Sequence, residues 1–422
     1  MYFARKEYVD RLLACRGNGM IKIVTGIRRS GKSYLLFNLF RERLLQDGTD
    51  ESHVLTIDLD SLDMEELREP HACLSYIREH ITDDAPYYVL IDEVQMMERF
   101  VEVLNTLLKI RNVDVYVTGS NSRFLSTDVA TEFRGRGEEI HLCPLSMMEL
   151  TEAFPDRTWD ELWRHYVVYG GLPQVVLEGS DRKRSTYLKQ QLKQTYLKDI
   201  RERYGVRNDL ELEQLLKMVY SSVGSLTNPQ KLADTFVSAG KMKLTAYTIK
   251  QYLDYFCDAF LLQKAERYDI RGKRYISTPY KFYASDIGLR NAMLNFRQVE
   301  ETHLMENAIY NELIRRGYNV DVGVVEIREQ DEKGNSVRRQ IEVDFVVNDE
   351  PERYYIQSAF AMPDADKERQ EKRPLYHISD SFRKIVIVAQ DILPRIDEQG
   401  VVTIGLQQFL TNSRSLNELV TQ

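Results

Sequence analysis

The chain has 422 residues, of which 43% are hydrophobic and 29% charged, and this length suggests two to four domains. Its net charge of −8 argues against a chain that binds nucleic acid over its whole surface, so any basic face must be local. We expect a cytoplasmic protein without a membrane span, zinc site or disulfide framework, because the sequence has no apolar run long enough to cross a membrane, no signal-peptide hydrophobic region and no CxxC spacing among its four cysteines.

Short apolar strands alternate with amphipathic helices between about residues 20 and 145. The strands are predicted at 21–25, 53–59, 87–92, 114–119 and 139–142. Alternation of apolar strands with helices is typical of a parallel sheet that is covered on both faces. The sequence therefore predicts an α/β fold with a parallel sheet core.

A glycine-rich loop follows the first strand. The segment Gly26–Ser33 reads GIRRSGKS and matches the GxxxxGK[ST] pattern, with a strand before it and an apolar helix after it. In such a loop the lysine reaches the β- and γ-phosphates and the serine hydroxyl binds Mg²⁺. The sequence therefore predicts a site for ATP and Mg²⁺. The predicted nucleotide-binding residues are Gly26, Arg28, Arg29, Ser30, Gly31, Lys32, Ser33 and Tyr34. The two arginines either rim the site or face solvent.

Two carboxylates stand at the end of the third predicted strand. The strand YYVLID ends at Asp92, and Glu93 follows it. Together with a phosphate loop, such a pair delivers one carboxylate to the metal and the next to the attacking water. We predict Ser33 and Asp92 as the metal ligands and Glu93 as the catalytic base. A solvated acidic strand end is the alternative.

Polar and basic residues after the fourth strand are further candidates. Ser120 or Asn121 would sense the γ-phosphate or would cap the next helix. In FRGRGEE, Arg134 and Arg136 would stabilise transition-state charge from a neighbouring subunit or domain, or would belong to a solvated basic loop. We predict Asn121, Arg134 and Arg136 as catalytic residues, together with Lys32 and Glu93. Self-association through the ATPase core is a candidate arrangement for the arginines.

The rest of the chain has three different patterns. Residues 147–220 have mostly helical spacing, which the segment GGLP at 170–173 interrupts. Residues 221–298 predict compact helices followed by a short hairpin. Residues 299–422 begin with a helix and continue with apolar strands, which predicts a second α/β unit.

Segments along nearly the whole chain resemble the AAA-superfamily ATPases that carry a C-terminal domain of the DUF4143 type. They are GIRRSGKSYLL, YYVLIDEVQ, VYVTGSNSRFL, FRGRGEEIHLCPLSMMEL, YVVYGGLPQVV, TYLKDIRERYGVRN, LDYFCDAFLL and KFYASDIGLRNAML. The resemblance implies an ATPase core at 1–146, a helical lid at 147–220, a winged helix at 221–298 and a restriction-endonuclease-like domain at 299–422. It also suggests that the GGLP segment touches the nucleotide.

The segment with the winged-helix resemblance is locally basic. Residues 225–283 contain ten Lys or Arg and five Asp or Glu, within a chain that is acidic overall. A helix in the major groove and a basic hairpin on the phosphates would use such groups. The candidate contacts to double-stranded DNA are Tyr247, Lys250, Gln251, Lys273 and Arg274, with Arg271 on the same hairpin. A winged helix that binds protein is the alternative.

The last domain departs from the nuclease pattern that it resembles. Restriction-like nucleases bind metal with a helix glutamate, a strand aspartate and an [E/Q/D]-x-K, and here Glu306 and Asp344 fill the first two positions. The third reads Gln357-Ser358-Ala359, without the lysine that helps to activate water. A structural or nucleic-acid-docking remnant of the fold is therefore favoured over an active nuclease.

These observations together predict a cytoplasmic, Mg²⁺-dependent ATPase that couples its nucleotide state to binding of DNA or protein. The alternatives are a switch that depends on ATP binding rather than turnover, an ATP-gated interaction hub without DNA binding, and an ATP-gated nuclease.

Overall fold

The computed structural model describes residues 3–119, 135–238, 244–330 and 335–417. It divides into two compact units, one formed by Met1–Pro144 with Asp258–Phe260 and the other by Leu145–Cys257 with Leu261–Gln422. The predicted segments 147–220, 221–298 and 299–422 all fall in the second unit, apart from Asp258–Phe260. Their division into separate domains stays a prediction.

The first unit is built on a five-stranded parallel sheet, which confirms the predicted α/β core. Its spatial order is β2-β3-β4-β1-β5, and neighbouring strands run parallel. The strands are β1 (Ile21–Thr25), β2 (Val54–Asp58), β3 (Tyr87–Asp92), β4 (Val113–Thr118) and β5 (Gly137–His141). All five agree with the predicted strands to within two residues, because both faces of this sheet are covered and apolar runs therefore mark its strands.

Helices cover this sheet on both sides. They are α1 (Lys6–Ala14), α2 (32–46, formed by Lys32–Tyr34, the π-helical Leu35–Phe40 and Arg41–Gln46), α3 (Pro70–His80) and α4 (Phe100–Leu107), with 3₁₀ turns at Glu51–His53, Leu62–Arg68 and Val94–Met96. Successive residues of β1 belong to opposite apolar layers: Ile23 packs with the α3 and α4 side, and Val24 with the α1 and α2 side. Burial on both faces fixes the register of β1 and hence the position of the loop that follows it.

The second unit begins with helices, as predicted. They are α5 (Met147–Ala153), α6 (Trp159–Tyr169), α7 (Pro173–Leu177), α8 (181–204, formed by Asp181–Gln190, the π-helical Gln191–Leu197 and Lys198–Tyr204) and α9 (Asp209–Ser221). Reciprocal capping boxes start α5 and α6. The GGLP break lies between α6 and α7, where Gly171 N–H donates to buried Asp286 at 2.8 Å.

A nine-stranded sheet organises the remainder of the second unit. Its spatial order is β13-β14-β12-β11-β10-β9-β7-β8-β6. The strands are β6 (Leu226–Thr227), β7 (Leu262–Asp269), β8 (Arg274–Ala284), β9 (Asn319–Gln330), β10 (Ser336–Asp349), β11 (Glu352–Ala359), β12 (Arg383–Val388), β13 (Arg395–Ile396) and β14 (Val401–Gly405). The helices are α10 (Pro229–Ser238), α11 (Ala246–Asp258), α12 (Ile287–Met293), α13 (Glu301–Arg315), α14 (Ala365–Tyr376) and α15 (Leu406–Thr411).

The β7–β8 hairpin is part of this large sheet. Strand β7 pairs with β8 on one side and runs parallel to β9 on the other. Arg271, in the turn of the hairpin, donates to the carbonyl oxygens of Glu326 and His377 at 2.9 Å each. The hairpin is therefore attached to the C-terminal strands, and Arg271 is engaged there instead of being free to contact phosphates.

Candidate nucleotide-binding site

The glycine-rich loop connects β1 to α2 at the carboxyl edge of the first sheet. Gly26 has φ +136°, and a Cβ at this position would lie 2.3 Å from the carbonyl oxygen of Leu142. Gly31 has φ +98° and immediately precedes the helix. Both conformations favour glycine, so the two glycines of the motif are needed for the path of the backbone.

Lys32 is a buried cation that has no anion at hydrogen-bonding distance among the described residues. Its Nζ donates to the carbonyl oxygens of Gly26 at 3.1 Å and Ile27 at 3.3 Å. Burial lowers the pKa of this lysine to about 8, although the charges of Glu93 and Asp92 oppose the shift. A buried ammonium that is held by carbonyls alone fits a loop built to receive an anion. Within the described residues, the buried Oγ of Ser30 also has no hydrogen-bond partner.

The two predicted acids lie at the end of β3, which pairs directly with β4. The side chain of Asp92 is hydrogen-bonded to those of Ser33 and Thr118, while burial raises the pKa of the Asp92 carboxyl. The Ser33 and Asp92 side chains, predicted as the two metal ligands, are thus adjacent. A hydroxyl and a carboxylate form a suitable partial set for Mg²⁺, which takes its remaining ligands from water and phosphate.

Glu93 is held by its neighbours in an unusual backbone conformation. It has φ +47°, a left-handed value that is uncommon for a residue with a side chain. Its N–H donates to Thr118 Oγ1 at 3.0 Å, and the amide of Gln95 donates to its carboxylate. Strain of this kind persists where surrounding contacts enforce it, and it is common at functional sites.

Three residues at this site were not identified from the sequence. Thr118, the last residue of β4, donates to Asp92 and accepts from the Glu93 N–H. Gln95 holds the Glu93 carboxylate. Buried Arg5 donates to the carbonyl oxygens of Ser30 and Cys143 at 3.0 Å each, and it thereby fastens the loop from the α1 side. Gln95 and Thr118 each lie two residues from a predicted site residue and could have been suspected, whereas Arg5 lies 21 residues before the loop.

Comparison with known proteins gives the family. Residues 18–151 match a family model described as an AAA domain, and residues 160–300 match a model described as a domain of unknown function, DUF8612. An uncharacterized protein of Haemophilus influenzae is 33% identical to this chain, and the match covers 92% of the chain and 93% of that protein. The chain belongs to the AAA-type ATPases. The DUF4143 resemblance is not confirmed, since the model that matches residues 160–300 is DUF8612.

More distant matches to this AAA-type ATPase cover a smaller share of the chain and carry little further information. An uncharacterized protein of Methanocaldococcus jannaschii is 25% identical, over 83% of this chain and 77% of its own. A Walker-type ATPase of Pyrococcus abyssi has a TM-score of 0.49 and 15% identity, over 69% of this chain and 96% of its own. The ORC1 protein of Aeropyrum pernix, solved with DNA, has a TM-score of 0.28 and 13% identity, over 70% of this chain and 93% of its own. Both TM-scores are too low to transfer any property.

The other predicted catalytic and nucleotide-binding residues occupy varied positions. Ser120, Asn121 and Arg134 lie outside the described residues. Arg136 is exposed just before β5 of this ATPase, and its carbonyl accepts from Ile21 N–H at 2.8 Å. Arg28 is half-buried beside the loop, whereas Arg29, Ser33 and Tyr34 are exposed.

The predicted DNA contacts lie on the surface of the second unit. Tyr247 is 71% exposed on α11, Lys250 is also exposed, and the Gln251 amide donates to the Tyr247 hydroxyl at 3.3 Å. In the hairpin, Lys273 and Arg274 are exposed, and Arg274 lies 3.5 Å from the Asp269 carboxylate. These side chains are therefore accessible to a partner, although Arg274 is partly neutralised.

The predicted nuclease acids surround a lysine. Lys281 of β8 is 3% exposed, and its Nζ lies 2.9 Å from Glu306, 2.7 Å from Glu342 and 3.9 Å from Asp344. Burial and the nearby Glu306 charge raise the pKa of Asp344 to about 8, although Lys281 opposes the shift. The Tyr283 hydroxyl donates to Glu306 at 2.7 Å. The Lys281 ammonium thus provides positive charge among these carboxylates.

The described residues contain neither a ready-made metal cluster nor a membrane-spanning helix. Among the residues that the structure describes, no group of three or more His, Cys, Asp or Glu side chains is arranged to hold a metal ion. None of the described helices combines the length and apolar character needed to cross a membrane.

Proposed function

We propose that this AAA-type ATPase binds ATP with Mg²⁺ at the Gly26–Ser33 loop and hydrolyses it. The observation that carries the proposal is Lys32, a buried ammonium that donates to two backbone carbonyls and, within the described part of the chain, to no anion; the Ser33–Asp92 pair lies beside it in the same unit. Such a cation is stabilised when an anion enters the loop, because phosphate oxygens are better partners for it than neutral carbonyls.

Each side chain has a proposed role in the reaction. Lys32 would transfer its hydrogen bonds from the loop carbonyls to phosphate oxygens, and Ser33 with Asp92 would hold Mg²⁺, which neutralises phosphate charge when bound. Glu93 would accept a proton from the attacking water, because it follows the proposed metal ligand Asp92 directly in the chain at the end of β3. Thr118 and Gln95 would keep Glu93 in place. Asn121, Arg134 and Arg136 stay candidates for γ-phosphate sensing and for charge stabilisation, the arginines across a self-associated ATPase core.

Phosphate release with ATP and Mg²⁺ tests the proposal, with Glu93→Gln as the decisive variant. Removal of a general base lowers turnover by about 10²–10⁴-fold, whereas ATP binding should persist. Glu98→Gln is the matched control, since Glu98 is an exposed acid five residues further along the chain. Equal turnover in wild type and Glu93→Gln would contradict the assignment. Nucleotide binding without release in wild type would instead favour a switch that depends on ATP binding alone.

We further propose that the second unit binds duplex DNA through a winged helix at 221–298. The supporting observation is the element order α9-β6-α10-α11-β7-β8 with the strand order β6-β8-β7, which is typical of a winged helix, combined with the exposed α11 residues Tyr247 and Lys250. Since Arg271 is engaged with the C-terminal strands, α11 is a more favourable surface for DNA than the β7–β8 hairpin. Lys273 and Arg274 of the hairpin are proposed as secondary contacts.

DNA binding is testable by fluorescence anisotropy with a labelled duplex at low and high salt. Lys250→Glu should weaken binding and reduce its salt dependence, because a phosphate contact releases about one counterion. Lys231→Glu on α10 is a control with the same change in charge. If wild type shows no affinity even at low salt, a protein partner and an interaction-hub function are favoured. Phosphate release measured with and without the duplex shows whether ATP turnover is coupled to DNA.

A further inference from the structure

A second concave site lies within the second unit, formed by the β7–β8 hairpin, the start of β9 and the turn between β10 and β11. The cavity has a volume of about 640 Å³. Pockets that bind small molecules typically measure about 300–1,000 Å³, so this cavity has room for a side chain as long as arginine. The nucleotide-binding loop belongs to the other unit, so the ATPase reaction does not account for this cavity.

A buried carboxylate with spare hydrogen-bonding capacity lies at this cavity. Asp321 of β9 lines it and is only 9% exposed. The hydroxyl of Tyr275 donates to Asp321 Oδ2 at 3.1 Å, and no other hydrogen bond to this carboxylate occurs within the described residues. Burial raises the pKa of Asp321, with the charge of Glu266 adding to the effect. A carboxylate can accept several hydrogen bonds, so Oδ1 of Asp321 is available to a donor.

Aromatic rings form the walls of the cavity and already accommodate one cation. The guanidinium of Arg353 lies 5.5 Å from the ring centre of Tyr268 and 5.3 Å from that of Phe382. Tyr275, which is 59% exposed, meets Tyr268 edge to face with ring centres 5.4 Å apart. Because the Tyr275 ring is exposed at the cavity beside Asp321, a flat cation could contact the ring and the carboxylate together.

The charge of the cavity lining favours a cation over an anion. Four carboxylates line it, Glu266, Asp321, Glu350 and Glu352, against the two cations Lys264 and Arg353. Lys264 is paired with Glu266 at 2.7 Å. The acids therefore exceed the bases by two, which disfavours phosphate-bearing ligands such as nucleotides and attracts positive groups.

We propose that this cavity binds the guanidinium of an arginine side chain presented by a partner protein, with Asp321 as its ion-pair partner and Tyr275 as its aromatic wall. Guanidinium is planar, offers parallel N–H donors to a carboxylate and stacks on aromatic rings. Recognition of an arginine goes beyond the proposed ATPase reaction, because it gives the second unit a surface that binds a basic segment of a partner protein.

The test is a calorimetric titration of the full-length protein with two probes that differ by one charge. N-acetyl-arginine amide should bind saturably, and its neutral isostere N-acetyl-citrulline amide should bind at least tenfold more weakly. Asp321→Asn should weaken arginine binding by about ten- to a hundredfold, as expected for loss of a charge-assisted hydrogen bond. Asp349→Asn is the matched control, because Asp349 lies at the end of β10 and does not line the cavity.

A second variant keeps the test independent of folding. Tyr275→Ala removes a largely exposed ring, so the protein should stay folded while arginine binding weakens at least fivefold. Equal binding of the arginine and citrulline probes, or unchanged binding in both variants, would overturn the proposal. A ten-residue Gly/Ser peptide with one central arginine should bind more tightly than the free amide. If the free amide binds as tightly, the ligand is a small molecule and the assignment to a partner protein is wrong.

Discussion

Thr118→Val tests how the two acids of the nucleotide site are positioned. Thr118 is fully buried at the end of β4, where its hydroxyl donates to Asp92 and accepts from the Glu93 N–H at 3.0 Å. Valine preserves the shape of the side chain but removes both hydrogen bonds. The structure therefore predicts that one hydroxyl supports both the proposed metal ligand, Asp92, and the proposed general base, Glu93.

The size of the effect follows from the two lost contacts. A hydrogen bond to a charged group contributes about 1.5–3 kcal/mol, and a buried N–H left unpaired costs about 1–3 kcal/mol. Because Asp92 can rearrange and partly satisfy the N–H, we expect the free energy of unfolding to fall by about 2–4 kcal/mol. A displacement of Glu93 by even one ångström is expected to lower kcat by about 10²-fold, while the affinity for nucleotide changes little.

Two measurements distinguish this explanation from simple destabilisation. Urea denaturation gives the loss of stability, and phosphate release at a temperature where the variant stays folded gives kcat. Thr118→Ser is the matched control, since it keeps the hydroxyl and should retain most of the wild-type kcat. A Thr118→Val protein that is folded and turns over ATP as fast as Thr118→Ser would refute the proposed positioning.

Three further predictions concern other buried groups. Lys281→Met should lower the free energy of unfolding, measured in urea, by about 3–5 kcal/mol, because it leaves buried carboxylates without their cation. Lys264→Met is the control, since it removes an exposed lysine and should have a small effect. Equal losses of stability in the two variants would contradict the argument. Nucleotide binding at pH 8 should take up about half a proton, since the pKa of Lys32 near 8 rises when phosphate replaces carbonyls, so affinity should fall as the pH rises above 8. Calorimetry in two buffers of different ionisation enthalpy measures the uptake, which should vanish in Lys32→Met. Gly26→Ala should abolish nucleotide binding in a fluorescence assay, because its Cβ would meet the Leu142 carbonyl at 2.3 Å, and retained affinity would show that the loop can move.

The five strands of the first unit and its phosphate loop could be predicted because their signals are local. Strands β1 to β4 are mostly apolar runs, and the loop motif is contiguous from Gly26 to Ser33; β5, which reads GEEIH, has the weakest signal. The strands of the second unit were predicted less completely. Strands β6, β13 and β14 were missed, since β6 and β13 have two residues each and β14 follows a segment with no clear periodicity. The roles of the site residues stay predictions, and Asn121 and Arg134 lie outside the described residues.

The position of Lys281 among the C-terminal acids could not be predicted from sequence motifs. The nuclease pattern predicts a lysine two residues after Gln357, and alanine stands there. The structure brings Lys281 to Glu306 and Glu342 from a strand that precedes both of them in the chain. No spacing rule connects these positions, because their proximity depends on the order of strands in the nine-stranded sheet.

By itself, the sequence determined the α/β core, the loop for an anion and the pair of acids at the end of β3, since all three depend on residues that are neighbours in the chain. Tertiary structure alone decided that Thr118 lies between those acids, because β4 is placed between β1 and β3 in the sheet. It also decided that Arg271 is engaged with the C-terminal strands and that Asp321 lines a cavity with Tyr275. The contacts of Arg271 and of Asp321 join residues that are 46 or more positions apart. They arise only when strand order and register are fixed by burial of the whole sheet.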